Sequence, residues 1–384
     1  MNKFFMIRFF TILLLYSSFS LYSFDGKVRV LLAEYKNCSG NIFQLTSPSG
    51  FLITDLDRSV KMEIASSIIT IKIDANNIYI NNKKLSRSGV ILSPLEGHIT
   101  FEDNTYDGSF IIIKDQKDCY LINSLHIEDY VYSVLRWESW PGWPIEVNKA
   151  FAITCRTYVV AKVIEARSAH KKSRVKRWYD IKNTNIHQTY KGTHTCHHVR
   201  QAVTETCGII MTYKKKPIVA MYDACCGGVI PAGLHGIDFV GAPYLARSYP
   251  CTYCKNSKLY SWRVEYTAKV FGERIEPQKK ITIKDVVINA KDKAGIVQNI
   301  VITTAPAVSI NLSGKKIYSL FGEIKSLCFS ISKKSHKIVI SGKGYGHHLG
   351  MCQWGARTMV AEGWDYKGIL RFYYPGISWM KLEV

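Results

Sequence analysis

The sequence predicts an α+β protein, with mixed and mostly antiparallel β structure, a few helices, and a small β-rich N-terminal region. Two observations lead to this class. Short β-branched runs, separated by Gly, Asn, Asp and Ser, fill residues 24–122 and return after residue 208. Apolar residues at helical spacing begin near Asn123 and recur only close to the C-terminus. We therefore expect a β-rich region over residues 24–122 and a second region, which contains the candidate functional residues, over residues 123–384.

Length and composition narrow the class of protein. The chain has 384 residues, is 47% hydrophobic and 21% charged, and is therefore globular. Its net charge of +21 favours an anionic partner such as nucleic acid, anionic lipid or an acidic polymer. The basic residues are spread along the chain, and the densest run, His170 to Arg177, is typical of a solvated loop.

The N-terminus indicates export. Lys3 and Arg8 precede an apolar run that is too short and too rich in serine for a typical membrane span. We interpret residues 1–23 as a signal peptide or an uncleaved membrane anchor. The protein is then expected in the periplasm or on the outer side of the inner membrane, which argues against a nucleic-acid partner.

Individual elements can be placed by their patterns. The predicted strands of the first region are VRVLLAE, FLITD, SIITIKID, NIYIN, GVILS, HITF and SFIIIKD, with Asn76-Asn77 and Asn81-Asn82 as turns. Asn123 or Ser124 is predicted to cap a helix with an apolar face made of Ile127, Val131, Val134 and Leu135. A second helix is predicted from Pro144, with a stripe made of Val147, Phe151, Cys155 and Tyr158. Near the C-terminus, one helix is expected to end at Gly363 and another to be capped by Asp365.

Glu138 lies between the first two predicted helices, in the segment ESWPGWP. Trp137, Trp140 and Trp143 surround it in sequence, and aromatic faces suit the apolar faces of sugar rings. Burial beside such rings would raise the pKa of a carboxyl group, as a general acid requires. Spacing alone, however, favours a plainer interpretation, in which the tryptophans are core and Glu138 caps a helix or forms an ion pair. Glu128 and Glu146 are weaker candidates.

Histidine and cysteine clusters raise the question of a metal. The segment from Asp180 to His198 contains four histidines and a cysteine, yet its spacing matches no standard zinc finger, so a polar loop is favoured. Cys251 and Cys254 could form a local bridge or half of a metal site. With eleven cysteines in the chain, their pairing stays open.

Two glycine-rich segments complete the candidates. In DACCGG, Asp223 to Gly228, the vicinal cysteines are weak candidates for a nucleophile, and Gly-Gly favours a tight turn. In GKGYGHHLGMCQWGA, Gly342 to Ala356, no Lys-Ser/Thr pair follows the glycines, so a phosphate loop is excluded. We interpret it as a turn that extends Lys343, His347 and Gln353 towards a ligand.

Four blocks of the sequence, taken in order, resemble the stage II sporulation protein D family. They are LHIEDYVYSVLRWESWPGWPIEVNKAFAITCRTYVVAK, YDIKNTNIHQTYKG, DACCGGVIPA and GKGYGHHLGMCQWGARTMVAEGWDYKGILRFYYPG. The family's best-known members are lytic transglycosylases of peptidoglycan, and a sister branch contains amidase enhancers. The resemblance places the family's catalytic glutamate on Glu138, within Trp-Glu-Ser where the family usually has Asn-Glu-Met. The family's Ser-Ser-Gly-Gly is Cys-Cys-Gly-Gly here, its Gly-His-Gly is Gly346-His347-His348, and its Met-Ser-Gln is Met351-Cys352-Gln353.

The resemblance implies a lytic transglycosylase with Glu138 as general acid and base. It predicts a substrate-binding set made of Gln188, Tyr190, Gly227, Gly228, Lys343, His347 and Gln353. Its expected partners are peptidoglycan glycan strands and an N-acetylmuramoyl-L-alanine amidase. Some members bind zinc near the His-x-Gln block, but this chain offers there only His187. Zinc is therefore not favoured, and no cofactor is predicted. The alternatives are a non-catalytic glycan-binding enhancer of an amidase and, less favoured, a zinc hydrolase built on His187 to His198.

Overall fold

The structure, a computed structural model, describes residues 24–57, 61–140, 142–172 and 177–383. The predicted signal or anchor, residues 1–23, lies outside the described residues, as does most of the basic run before Arg177. Among the helices of the described part, none is long and apolar enough to cross a membrane. Strands outweigh helices, and most strand pairs are antiparallel, which confirms the predicted α+β class.

The described residues of the N-terminal region form twelve strands, which include all seven predicted ones. Alternate residues of these strands are buried, as in β5, where Ile69, Ile71 and Ile73 face the core. The strands are β1 (Lys27–Tyr35), β2 (Ile42–Thr46), β3 (Phe51–Asp55), β4 (Lys61–Ile64), β5 (Ile68–Ile73), β6 (Ile78–Ile80), β7 (Lys83–Ser86), β8 (Gly89–Pro94), β9 (Ile99–Phe101), β10 (Asn104–Tyr106), β11 (Ser109–Asp115) and β12 (Asp118–His126). A disulfide between Cys38 and Cys119 joins the end of β1 to the start of β12.

Three helices and one short strand follow: α1 (Ile127–Glu138), α2 (Ile145–Lys172), β13 (Ile181–Lys182) and α3 (His197–Glu205). The predicted apolar faces of α1 and α2 are buried. The predicted cap of α1 at Asn123 or Ser124 is wrong, because β12 stays paired with β1 as far as His126. The side chain of His126 instead accepts a hydrogen bond from the backbone of Glu128 (3.2 Å) and caps the helix.

The chain then forms β14 (Ile209–Tyr213), β15 (Lys216–Pro217) and β16 (Tyr222–Asp223) before it enters a separate unit. This unit has its own hydrophobic core, which contains Phe271, Ile300, Phe321 and Ile340. Its elements are β17 (Ser261–Thr267), α4 (Ala268–Ile275), β18 (Thr282–Lys291), β19 (Val297–Ala305), β20 (Ser309–Ser313), α5 (Gly314–Leu320), β21 (Phe329–Lys334) and β22 (Lys337–Lys343). The predicted 123–384 region thus contains a second core, inserted between two of its motifs.

The last elements are β23 (Met351–Cys352), α6 (Gln353–Ala361), α7 (Tyr366–Tyr373) and β24 (Ser378–Lys381). As predicted, Gly363 follows α6 in the left-handed conformation, and Asp365 caps α7 by accepting from the backbone of Gly368 (2.7 Å). The short strand β23 pairs in parallel with β16, so that Asp223 lies opposite Cys352. This pairing brings two motifs together that the inserted unit separates in sequence.

The sheets connect these regions. A seven-stranded sheet has the order β13-β1-β12-β11-β8-β3-β4, and a six-stranded sheet has the order β10-β9-β2-β5-β6-β7. The N-terminal strands share one hydrophobic core with α1, α2 and α3 and with the C-terminal helices. The predicted β-rich region is therefore part of the same packed body that holds the candidate site.

Candidate active site

Glu138 ends helix α1, and three separate segments of the chain hold it. Its carboxylate accepts a hydrogen bond from the backbone N–H of Thr189 at Oε1 (2.5 Å) and from the hydroxyl of Tyr222 at Oε2 (3.0 Å). Its main-chain carbonyl accepts from the side-chain amide of Gln353 (2.7 Å). The described ion pairs do not include Glu138. Glu138 is half-buried, so its carboxylate is held by hydrogen bonds in a residue that is partly accessible to solvent.

Tyr222 belongs to a small buried network behind the carboxylate. Its hydroxyl lies 3.4 Å from the amide of Gln188, which accepts in turn from the hydroxyl of Tyr130 (3.1 Å). Burial and then the nearby Cys155 thiol and Glu138 carboxylate raise the pKa of Tyr222 well above its ordinary value. Tyr222 therefore stays protonated at neutral pH and donates its hydrogen bond to Glu138.

The tryptophans around Glu138 are divided between surface and core. Trp137 is 46% exposed and Trp140 is 48% exposed. The interpretation, from spacing alone, that the tryptophans are core residues is therefore wrong for these two. Trp143 is partly buried, stacks on Trp140 with ring centres 5.7 Å apart, and meets Trp354 edge-on at 5.2 Å. Two aromatic rings that are open to solvent thus stand on either side of Glu138 in the sequence.

Cationic side chains lie beside two of these tryptophans. The ammonium group of Lys191 lies 4.4 Å from the centre of the Trp137 ring, and the guanidinium of Arg136 lies 5.5 Å from it. Arg357 lies 5.7 Å from the centre of the Trp143 ring. These contacts fall within the range of cation–π attraction and place two cations beside the exposed Trp137 and one beside the partly buried Trp143.

Glu128 and Glu146, the weaker candidates from the sequence, form structural contacts instead. Glu128 accepts two hydrogen bonds from the fully buried guanidinium of Arg156 (2.8 and 2.5 Å) and one from the backbone of Gly208 (3.0 Å). Glu146 forms an ion pair with Lys149 (2.8 Å) and accepts from the backbone of Tyr366 (3.0 Å). Both carboxylates are engaged in contacts that join helices.

The predicted substrate-binding residues other than Gly227 and Gly228 fall into two groups. Lys343 and His347 are exposed, whereas the side chains of Gln188, Gln353 and Tyr190 are buried. The hydroxyl of Tyr190 donates to Asn123, so this side chain faces the interior. Gln353 contacts Glu138 directly, and Gln188 is linked to it through Tyr222.

The glycines of the two glycine-rich segments allow those segments to touch. Gly227 has a positive φ of 60°, and a Cβ at this position would lie 2.5 Å from the backbone nitrogen of Gly344. His348 also has a positive φ of 66° and is buried, with Nδ1 2.9 Å from the carbonyl of Cys226. Its backbone N–H donates to Asp223 (2.8 Å), a carboxyl whose pKa burial raises well above the usual value. His348 thus braces the Cys-Cys-Gly-Gly turn from inside.

The histidine-rich segment does not gather its side chains at one point. His187 accepts at Nδ1 from the backbone of Lys182 (3.4 Å), and burial lowers its pKa. His194 lies with Nε2 2.7 Å from the carbonyl of Tyr132, while His197 and His198 are exposed at the start of α3. In the part of the chain that the structure describes, the one convergent set of three or more metal-ligand side chains consists of Cys226, Cys251, Cys254 and Cys352.

Sequence reasoning missed two groups that contact the carboxylate. Thr189 acts through its backbone, and a backbone donor leaves no residue-type signal in a sequence. Tyr222 lies in the segment PIVAMYDA, which the sequence predicts only as a strand. Its position just before the vicinal cysteines was the one sequence signal that pointed to the site.

The sequence that forms this site matches a known family. Residues 115–213, which include Glu138, Gln188 and Thr189, match the family described as Stage II sporulation protein. Residues 251–350, which include the inserted unit, match a domain of unknown function (DUF8618). The chain is therefore similar to the stage II sporulation protein family over the part that carries Glu138.

The chain is also similar to individual proteins of known sequence. The chain is 29% identical to an uncharacterized protein of Brachyspira hyodysenteriae (strain ATCC 49526 / WA1), over 94% of this chain and 95% of that protein. It is 27% identical to stage II sporulation protein D of Bacillus subtilis (strain 168), over 66% of this chain and 74% of that protein. It is 25% identical to an amidase enhancer of the same organism, over 62% of this chain and 38% of that protein.

Proposed function

We propose that this protein is a lytic transglycosylase that cleaves the β-1,4 bond between N-acetylmuramic acid and N-acetylglucosamine in peptidoglycan glycan strands. The similarity to this family supports a cell-wall-related role. The observation that supports the specific reaction is the half-buried Glu138, whose carboxylate is held by two donors and which stands in sequence between the exposed Trp137 and Trp140. A substrate in the cell wall also requires export, which agrees with the apolar N-terminal run.

The surface around Glu138 suits a glycan strand. Sugar rings have apolar faces that stack on aromatic side chains, and Trp137 and Trp140, next to Glu138 in the sequence, offer such exposed faces. Muramic acid without a stem peptide carries a lactyl carboxylate, and Lys191 and Arg136 place positive charge beside Trp137. We therefore propose that the preferred substrate is a strand from which an amidase has removed the peptides.

The two hydrogen bonds assign different roles to the two carboxylate oxygens. The backbone N–H of Thr189 cannot become an acceptor, so Oε1 stays an acceptor throughout. The hydroxyl of Tyr222 can rotate away from Oε2, which is thus the oxygen that carries the mobile proton. In the proposed first step, protonated Oε2 gives its proton to the glycosidic oxygen as the bond to C1 of the muramoyl residue breaks.

The second step needs no water and no second carboxylate. The C6 hydroxyl of the same muramoyl residue attacks C1, and the Glu138 carboxylate takes up the hydroxyl proton. The product is a 1,6-anhydro ring, and the acid is restored for the next cycle. Hydrolytic glycosidases usually employ two carboxylates, whereas an intramolecular attack requires only one. Thr189 and Tyr222 stabilise the anionic form of Glu138 between the two proton transfers.

A second candidate function is a non-catalytic glycan-binding protein that stimulates a cell-wall amidase. The specific observation in its favour is the replacement of the family's Asn-Glu-Met by Trp137-Glu138-Ser139. Ser139 donates its hydroxyl to the carbonyl of Leu135 (2.6 Å) and ends the helix, so this position serves α1 rather than a ligand. The similarity to an amidase enhancer points the same way.

Product analysis distinguishes the two functions. Purified protein is incubated with glycan strands freed of stem peptides, and the soluble products are examined by mass spectrometry. Fragments ending in 1,6-anhydromuramic acid, one water lighter than reducing fragments, are the expected result. Reducing muramic ends would overturn the transglycosylase mechanism. Strands that bind the protein but are not cut, together with faster peptide release when an amidase acts on intact peptidoglycan in the presence of the protein, would establish the enhancer instead.

A further inference from the structure

Four cysteines from three distant segments meet in the interior behind the candidate active site. Cys226 follows β16, Cys251 and Cys254 precede the inserted unit, and Cys352 ends β23. All four are buried, and their sulfur atoms lie within 4.8 Å of one another. From the sequence, Cys251 and Cys254 could form a bridge or half of a metal site. The fold supplies two further thiols at the same point.

We propose that Cys226, Cys251, Cys254 and Cys352 bind one zinc ion in a tetrahedral tetrathiolate site that positions the residues around Glu138. Zinc binds thiolates at about 2.3 Å, which places neighbouring sulfurs about 3.8 Å apart around a tetrahedron. The sulfurs of Cys226 and Cys254 are 3.7 Å apart. A disulfide would need about 2.05 Å, and the structure bonds Cys38 to Cys119 but leaves these four thiols free.

The closeness of the set favours a single ion over a cluster. In an iron–sulfur cluster the cysteines bind different iron atoms around bridging sulfides, so their sulfurs are spread more widely. Four thiolates around one point match the structural zinc sites of proteins, in which protein ligands fill all four positions. All four side chains are inaccessible to solvent, which suits a structural site without an open position.

The sulfur atoms have hydrogen-bond partners of the kind that surround metal-bound thiolates. The sulfur of Cys352 accepts from the backbone N–H groups of Cys226 and Gly355, each at 3.3 Å. The hydroxyl of Tyr373 lies 3.2 Å from the sulfur of Cys251. Donors of this kind stabilise the negative charge of bound thiolates and fix their orientation. Gly355 is needed here, because a Cβ at that position would lie 2.8 Å from the sulfur of Cys251.

Charge and protons balance in the binding step. Four thiols release four protons as they bind Zn²⁺, which leaves a centre with a net charge of −2. Cys352 caps the N-terminus of α6, where unpaired N–H groups and the helix dipole favour negative charge. The overall positive charge of the chain acts in the same direction.

The position of the site connects it with Glu138. Cys226 lies four residues after Tyr222, and Cys352 immediately precedes Gln353. Tyr222 binds the carboxylate of Glu138, and Gln353 binds its main-chain carbonyl. An ion that joins Cys226 to Cys352 therefore reinforces the existing pairing of β16 with β23, and with it both contacts. Cys226, Cys251, Cys254 and Cys352 are in this sense positioning residues.

The test is metal analysis of the full chain, purified without chelators. We expect one zinc per chain by elemental mass spectrometry, and tetrahedral thiolate absorption bands after exchange with cobalt(II). Ala variants of Cys226, Cys251, Cys254 and Cys352 should each lose most of the zinc. The matched controls are Cys225→Ala, the adjacent buried thiol outside the convergent set, and Cys207→Ala, an exposed thiol. Both controls should retain the ion.

A measurement on the unaltered protein guards against variants that do not fold. Before and after treatment with a strong chelator, the thiols are alkylated without reduction and located by peptide mass spectrometry. We expect the four cysteines to be protected at first and to become labelled together after zinc is removed. Disulfide-linked peptides from these four residues, one iron per chain in place of zinc, or zinc loss in Cys225→Ala but not in Cys226→Ala would overturn the proposal. Zinc content is measured without substrate, so this result is independent of the proposed reaction.

Discussion

The two ends of helix α1 each present a glutamate, and the two side chains have opposite surroundings. Glu128, near the start, is locked to the fully buried guanidinium of Arg156 by two hydrogen bonds. Glu138, at the end, accepts from a backbone amide and a phenol, is half-buried, and has no arginine among these partners. A carboxylate bound by arginine on both oxygens is poorly suited to exchange a proton. The partners of a carboxylate, more than its residue type, therefore separate a structural acid from a candidate catalytic one.

The largest effect is expected from Glu138→Gln. Glutamine has nearly the shape of glutamate, and the donors on Thr189 and Tyr222 are unchanged. The amide cannot carry the transferred proton, however, so strand cleavage should fall by about 10²–10⁴-fold. Its thermal midpoint should stay close to that of the unaltered protein, because Glu138 is half-buried and forms no described ion pair. Release of 1,6-anhydro ends is the activity assay, and scanning calorimetry is the control. Full activity in this variant would remove Glu138 from the mechanism.

Glu128→Gln is the matched substitution at the other end of the helix. It leaves the buried guanidinium of Arg156 without an anion, and breaking such a pair costs about 3–5 kcal/mol. We expect a large loss of stability in urea unfolding, with near-normal activity per folded molecule at low temperature. A variant that is stable but inactive would reverse the roles assigned to the two glutamates.

Tyr222→Phe tests the network behind Glu138 and should have a smaller effect. It removes one hydrogen bond to a charged group, worth about 1.5–3 kcal/mol, while the ring still packs edge-on against Phe151. We expect cleavage to slow by about 10–100-fold, mainly in kcat because Tyr222 lies behind the carboxylate. An effect confined to KM would instead place Tyr222 in contact with the strand.

The smallest effect is expected from Trp140→Ala, which removes an exposed ring beside the acid. Covering about half of a tryptophan contributes about 1 kcal/mol, or roughly fivefold in Kd for glycan strands. Binding measured with Glu138→Gln as the background avoids cleavage during the titration. Trp137→Ala is the companion variant, since its ring also meets Lys191. Unchanged binding in both variants would move the strand away from this surface.

Local patterns predicted much of the secondary structure. Alternation in runs such as SIITIKID and helical spacing in VNKAFAITCRTY each report which side of one element is buried, and these elements formed as predicted. The cap of α1 was missed because the pairing of β12 with β1 outweighed the capping preference of Asn123. The separate core of the inserted unit was missed too, since strands of either core have the same alternation.

Local sequence patterns were enough to predict the α+β class, the helices on either side of Glu138, and the family motifs, because each depends on residues that are close together in the chain. Which distant groups meet was visible only in the folded protein. Thr189 and Tyr222 reach Glu138, and Cys226 and Cys352 reach Cys251 and Cys254, across separations that local patterns do not encode. Such contacts follow from how strands and helices pack, and the pairing of β16 with β23 is what brings the segments of Tyr222 and Cys352 together.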